Sequence, residues 1–162
     1  YFIVAKAPET AKLIDLSRSI NTSMPYYVAD NVNALLEKTN GKTITVFGLT
    51  YKGNVDDIRE SPAMEIYEIL KEQGRYEVRA YDPHVKKDFV INDIEEAVEE
   101  SDLILILADH NEFKELNWAQ LSNMSTKQIF DTKNIVKNRS NDFKYINFGS
   151  LHESVQKETV LA

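Results

Sequence analysis

The residues with the most chemical potential in this sequence fall in one stretch, Gly48-Leu49-Thr50-Tyr51-Lys52-Gly53-Asn54-Val55-Asp56-Asp57-Ile58-Arg59-Glu60-Ser61-Pro62. It follows the β-branched, apolar run Thr43–Leu49, which reads as a buried strand. A strand-to-helix turn in a dinucleotide-binding fold carries G-x-G-x-x-G, whose glycines bring a pyrophosphate onto the helix N-terminus. That fingerprint is absent here, and Lys52 and Arg59 offer cationic side chains in its place. Lysine meets a phosphate as a point charge and arginine as a planar fork. A second reading is that both cations balance Asp56, Asp57 and Glu60 on an ordinary surface loop. Ser61 is explained better as a helix cap than as a nucleophile, because proline follows it and no histidine is adjacent.

Three other positions invite chemistry. Asp131-Thr132-Lys133-Asn134 follows a short apolar run and would place a second cation at the same sheet edge as Lys52. Two converging lysines suit a diphosphate. Asp82, after Glu77–Tyr81, is placed to accept from a ribose hydroxyl, but a turn-forming Asp-Pro dipeptide is the simpler account. His84, His110 and His152 are far apart in sequence and share no ligand spacing with acids, so they read as surface or loop histidines rather than a metal centre. The chain has no cysteine, which removes disulfides, thiolate metal sites and a thiol nucleophile. Trp118 and the tyrosines at helical spacing read as core.

The elements that must carry these residues follow from periodicity. Leu13, Leu16, Ile20, Met24, Val28, Val32 and Leu35 form one stripe of a long helix, with Pro8 in its first turn and Asn40-Gly41 as its stop. Pro25 interrupts that pattern, so a kink or two abutting helices are expected there. Beyond Lys42 strands and helices alternate. Strands are expected at Thr43–Leu49, Glu77–Tyr81, Leu103–Ala108, Gln128–Phe130 and Lys144–Phe148. Helices are expected from Ser61-Pro62 to Gly74, and at Asp93–Glu100, Asn111–Leu121 and Ser150–Lys157. The acidic residues between Asp93 and Asp102 read as a solvated helix face.

This alternation predicts an α/β fold: a doubly wound, mainly parallel Rossmann-like sheet preceded by a long helix. Ligands of such sheets sit at the carboxyl ends of the strands, which singles out Thr50–Glu60, Asp82–Lys87 and Asp131–Lys137. At 162 residues there is room for one domain and an appendage, divided here into 1–40 and 41–162. A net charge of −7 argues against nucleic acid and anionic membrane as partners. No apolar run approaches the roughly 20 residues of a spanning helix. The opening Tyr1–Lys6 lacks the features of a signal peptide, and with the absence of cysteine this fits a cytoplasmic address.

Taken together, Gly48-Leu49-Thr50-Tyr51-Lys52, Asp56-Asp57-Ile58-Arg59-Glu60-Ser61-Pro62 and Tyr81-Asp82-Pro83 resemble the C-terminal domain of the UDP-glucose/GDP-mannose dehydrogenase family. Ala7-Pro8-Glu9 and Asn21-Thr22-Ser23-Met24-Pro25 are similar to the central helical region of the branch that oxidises UDP-N-acetyl amino sugars such as UDP-N-acetylmannosamine. Asp131-Thr132-Lys133-Asn134 resembles the family's later substrate-contacting segment. The resemblance implies an NAD-dependent sugar-nucleotide 6-dehydrogenase. Such an enzyme turns the C6 hydroxyl into a carboxylate in two steps, through a cysteine-bound intermediate, for polysaccharide biosynthesis. By position, Tyr51, Lys52 and Lys133 resemble UDP-sugar contacts, and Arg59 resembles a residue reaching across the cleft to NAD.

The helix before Asn40 resembles the family's homodimerisation helix, which makes 1–40 the end of the central region and 41–162 the UDP-sugar-binding domain. With neither cysteine nor glycine fingerprint in the chain, the resemblance implies a C-terminal fragment that begins after the cysteine loop and is inactive alone. Three alternatives stand beside this reading: a UDP-glucose 6-dehydrogenase fragment, a stand-alone nucleotide-binding module and an oligomerising scaffold.

Overall fold

Apolar residues on both sides of a strand require cover on both sides, and that requirement shapes this protein. The computed structural model describes residues 11–155. Its elements, in chain order, are α1 (Lys12–Thr39), β1 (Thr43–Phe47), α2 (Pro62–Glu72), β2 (Glu77–Tyr81), α3 (Ile94–Val98) and β3 (Leu103–Ile106). Two 3-10 turns (Asn111–Phe113 and Trp118–Leu121), β4 (Gln128–Asp131), β5 (Lys144–Ile146) and α4 (Leu151–Val155) follow. The strands form one sheet in the order β2-β1-β3-β4-β5, and every pairing is parallel. The chain leaves β1 toward one edge and returns to the other side of it, so the order reverses between β1 and β3. This is the expected doubly wound α/β architecture.

Successive strand residues alternate between two cores. Ile44, Val46, Leu103, Leu105 and Phe130 face the core shared with α1 and α2. Phe47, Ile104, Ile106 and Ile129 face the core shared with α3 and the 3-10 turns. All nine are fully buried. At roughly 1.5–3 kcal/mol for each large side chain removed from water, these residues dominate what holds the sheet between its layers.

α1 is divided in its burial. Val28, Val32, Leu35 and Leu36 are sealed against the sheet, whereas Leu13, Leu16 and Ile20 on the same stripe are 76%, 58% and 53% exposed. Asn40 closes the helix in the left-handed conformation (φ 52°), and the Gly41 amide donates back to the Leu36 carbonyl at 2.9 Å. The helix runs unbroken through Pro25, so of the two expectations there, a kink or two abutting helices, the second is not found. Tertiary packing of the buried half outweighs the one backbone bond that proline removes. Pro8 lies outside the described residues.

α2 begins as expected, with Ser61 Oγ accepting from the Ala63 amide at 3.2 Å and proline in the first turn. The helix expected over Asn111–Leu121 is a correction: the segment forms two separate 3-10 turns. Asn138 explains why, because its side chain takes the Leu116 amide at 3.0 Å and donates to the Leu116 carbonyl at 2.8 Å. A helix would need those same backbone groups for its own ladder. β1, β3 and β5 each end two residues earlier than expected, β2 ends where expected, and β4 runs one residue further, to Asp131. β1 stops at Phe47 because Gly48 turns into positive φ (85°), where a Cβ would stand 2.4 Å from that of Ala108.

Candidate functional site

The carboxyl ends of β1, β3 and β4, the middle of α1 and the start of α2 enclose a cavity of about 590 Å³. Its apolar wall includes Pro25, Val28, Ala63 and Ile66, and Phe148 closes one side. Tyr51, Lys52 and Lys133 all line it. The cavity thus brings together the loop after β1 and the loop after β4, as the strand-end rule predicts. Tyr51 is 57% exposed, and the Lys52 ammonium lies 6.0 Å from its ring centroid. Neither lysine forms an ion pair among the described residues. In a chain of net charge −7, two unneutralised cations at one cavity form a local anion-attracting spot.

Each lysine loop is organised by an aspartate that is buried at the end of a strand. After β4, Asp131 accepts from the amides of Lys133 (3.0 Å), Ile135 (2.8 Å) and Val136 (3.0 Å), and from the Tyr145 hydroxyl. Burial and that hydrogen bond push the Tyr145 phenol far above its ordinary value, so it stays a donor. The Arg139 guanidinium caps the Tyr145 ring at 3.7 Å from its centroid.

After β2, Asp82 accepts from the Leu49 amide (2.7 Å), the His84 amide (2.9 Å) and His110 Nε2 (3.1 Å). Burial opposes ionisation of this carboxyl, but the bonds from His110 and the two amides outweigh it and hold the group below its ordinary range. The turn reading of Asp82 is therefore right as far as it goes. Its tie to Leu49 and His110 adds a second role that the dipeptide does not reveal.

The histidine reading needs correction at His110, a loop residue that is not at the surface, whereas His152 is exposed. His110 is fully buried and its ring stacks on that of His84 at 4.6 Å, with Glu112 beside them. Ligating atoms of His84, His110 and Glu112 lie within 4.8 Å of one another, so separation in sequence is a poor guide here. Both His110 nitrogens are already engaged, Nε2 with Asp82 and Nδ1 with the Asn54 amide at 2.9 Å. Only His84 and Glu112 retain ligand atoms, too few for a metal centre on their own.

Arg59 is not part of the cavity. Its guanidinium is 86% exposed and holds Asp57 through two bonds, at 2.9 and 2.8 Å. That fork lowers the Asp57 carboxyl to about 2. The charge-balancing reading thus describes Arg59, but not Lys52. Sequence reasoning also missed Asp109, His110 and Asn111, which clasp the Lys52 loop from the end of β3. The strand-end rule contained the signal, since β3 also has a carboxyl end. The helix expected over Asn111–Leu121 takes in only Asn111 of the three, and the sequence reads His110 as a surface or loop residue.

Comparison with known proteins agrees with this geometry. The sequence pattern of the UDP-glucose/GDP-mannose dehydrogenase family, UDP binding domain, matches residues 45–138. The chain is 43% identical over 142 residues to the UDP-N-acetyl-D-mannosamine dehydrogenase of Methanocaldococcus jannaschii, a match covering 84% of this chain and 32% of that protein. It is 34% identical over 139 residues to an NDP-N-acetyl-D-galactosaminuronic acid dehydrogenase of Ralstonia nicotianae, covering 82% of this chain and 32% of that one. Among solved structures, the UDP-N-acetyl-mannosamine dehydrogenase Cap5O of Staphylococcus aureus superposes with a TM-score of 0.91 at 52% identity, over 96% of this chain and 37% of that one. The chain therefore spans about a third of the length of the curated relatives it matches. With the family pattern running across more than half of its residues and onto both loops of the cavity, the chain belongs to the UDP-glucose/GDP-mannose dehydrogenase family, as its UDP binding domain.

Proposed function

We propose that this chain supplies the UDP-binding part of an NAD-dependent UDP-N-acetylmannosamine 6-dehydrogenase. The observation that carries the reading is the cavity itself, where Lys52 and Lys133 converge without carboxylate partners beside Tyr51 and an apolar wall. A diphosphate suits the two ammonium groups, and the apolar wall suits the uncharged parts of a nucleotide sugar. The higher identity to the mannosamine enzyme than to the galactosaminuronic one favours the mannosamine sugar.

The overall reaction takes a primary alcohol at C6 to a carboxylate, reducing two NAD molecules and taking its second oxygen from water. The described residues do not build a site for NAD. The β1–α2 turn has no glycine triplet, and Arg59, the one residue assigned to the cofactor, stands outside the cavity on Asp57. With no cysteine either, this chain carries no step of the oxidation. Its part is to bind and orient the substrate. Arg59 would meet a cofactor only by releasing Asp57 toward a facing domain. The exposed half of α1, with Leu13, Leu16 and Ile20 in one stripe, supports homodimerisation through that helix.

Isothermal titration of the chain with UDP, UDP-N-acetylmannosamine and UDP-glucose tests this. Saturable UDP binding is expected, weakened about tenfold or more in Lys52→Ala, the range for losing a charge-assisted hydrogen bond. UDP that binds equally well to Lys52→Ala would refute the site, and tighter binding of UDP-glucose would overturn the choice of sugar.

A further inference from the structure

His110 fills its space in the second core as any aromatic residue would, but its polar atoms do something a packing residue need not do. The Asn54 amide donates to Nδ1 at 2.9 Å, so Nδ1 must present its lone pair. The proton then lies on Nε2, which donates to Asp82 Oδ2 at 3.1 Å. Thr50 Oγ1, 3.3 Å from the same Nε2, gives its own proton to the Lys52 carbonyl at 2.7 Å. The flanking residues of the same loop complete the clasp: Asp109 takes the Gly53 amide at 2.8 Å, and the Asn54 side chain takes the Asn111 amide at 2.9 Å. Lys52 thus sits on a backbone whose carbonyl and whose next-but-one amide are both tied to one buried ring and its neighbour.

We infer that His110 is a positioning residue for the nucleotide-binding loop: as the Nε2–H tautomer it connects the strand-end carboxylate of Asp82 to the Asn54 amide and thereby fixes where Lys52 presents its charge. The inference deepens the proposed UDP site and rests on that reading. Phe113 meets the ring edge-on at 5.2 Å and His84 covers its face at 4.6 Å, so the imidazole is held in one orientation. The loop itself is exposed at Tyr51 and has no regular structure of its own. Its placement therefore depends on these few bonds.

Two substitutions separate the functions of the two nitrogens. In His110→Asn the amide oxygen stands near the position of Nδ1 and keeps an acceptor for Asn54. In His110→Gln the amide nitrogen stands near Nε2 and keeps the donor to Asp82, while the loop loses its acceptor. UDP affinity, denaturation midpoint and Asn54 amide exchange are measured on both, beside wild type and Lys52→Ala. The expected result is near-wild-type UDP affinity and slow Asn54 exchange in His110→Asn. His110→Gln is expected to bind UDP about tenfold more weakly, with fast Asn54 exchange, at a denaturation midpoint similar to that of His110→Asn. Equal affinity and equal exchange in the two variants, or affinity that simply follows the midpoint, would overturn the inference.

Nuclear magnetic resonance of the wild-type chain gives a check that needs no variant. An Nε2–H tautomer with scalar coupling from the Asn54 amide to Nδ1 is expected, and an Nδ1–H tautomer would overturn the assignment. Should Lys52→Ala bind UDP normally, the functional reading fails. The exchange and coupling data still decide whether His110 holds the loop.

Discussion

Gly53 sits in the Lys52 loop where it crosses Asp109. A Cβ added there would lie 2.4 Å from the Asp109 carbonyl oxygen, 2.7 Å from its carbon and 2.7 Å from Oδ1. Two of those three atoms are backbone, so no side-chain rotation relieves the contact. Bringing the nearest approach from 2.4 to 3.0 Å already requires a shift of about 0.6 Å. Two responses are available. Overpacking with the loop held in place costs about 1–3 kcal/mol, and losing the Gly53 amide bond to Asp109 adds about 1 kcal/mol. Tyr51 and Lys52 beside Gly53 are exposed, whereas Asp109 stands between the buried Ala108 and His110, so the loop gives way. Gly53→Ala is therefore expected to lose about 1–3 kcal/mol of stability and about tenfold in UDP affinity, since displacements near 1 Å are enough to spoil a binding constellation.

The control is Gly74→Ala. Gly74, unlike Gly53, has positive φ (61°), and nothing lies within 4 Å of its would-be Cβ. It should lose about 1 kcal/mol through backbone strain alone and keep its UDP affinity. Urea denaturation gives the stabilities and isothermal titration the affinities. Equal weakening of UDP by the two variants, or wild-type affinity in Gly53→Ala, would refute the reasoning.

Three further outcomes are expected. Because the Asp82 carboxyl lies below its ordinary value in the folded chain, the unfolded chain binds that proton more tightly. Asp82 thus stabilises the fold above about pH 4 and loses that contribution as the pH falls through its folded value. Asp82→Asn should cost about 1–3 kcal/mol at neutral pH, by turning a donor toward the Leu49 or His84 amide, and should flatten the acid limb of a stability–pH profile. Leu36→Ala, in the sealed half of α1, should cost about 2–5 kcal/mol by denaturation. Leu16→Ala should leave the midpoint unchanged and lower self-association in sedimentation. Arg59→Ala should alter neither the midpoint nor UDP affinity of this chain, and a loss of UDP binding in that titration would return Arg59 to the cavity.

What could be read from the sequence was whatever depends on local pattern. β2 at Glu77–Tyr81 was legible to the residue, and Ser61-Pro62 marked the start of α2, because β-branched runs and caps act through neighbours in the chain. Lys52 and Lys133 could be assigned to one sheet edge because parallel strands place all their carboxyl ends together. Three things were not legible, and two of them depend on a distant partner. Asn138 replaces the helical bonds of Leu116 from 22 residues away. His110 reaches Asp82 across 28 residues. Asp57 captures Arg59 from only two residues away, but which of the loop's acids would do so depends on backbone geometry that composition does not encode.

α1 is also a lever. At about 1.5 Å per residue its 28 residues make a rod roughly 42 Å long. The sealed half is the clamped end, and the cavity-lining residues Asn21, Met24, Pro25 and Val28 lie near the fulcrum. Leu13 is 15 residues beyond Val28, roughly 22 Å away, so a tilt of about 5° at the clamp swings it by about 2 Å. The cavity wall at Met24 and Pro25 moves several times less. A small adjustment of that wall around a ligand is thus magnified at the far tip of the rod. By the same geometry, anything that grips the tip restrains the wall with a long mechanical advantage.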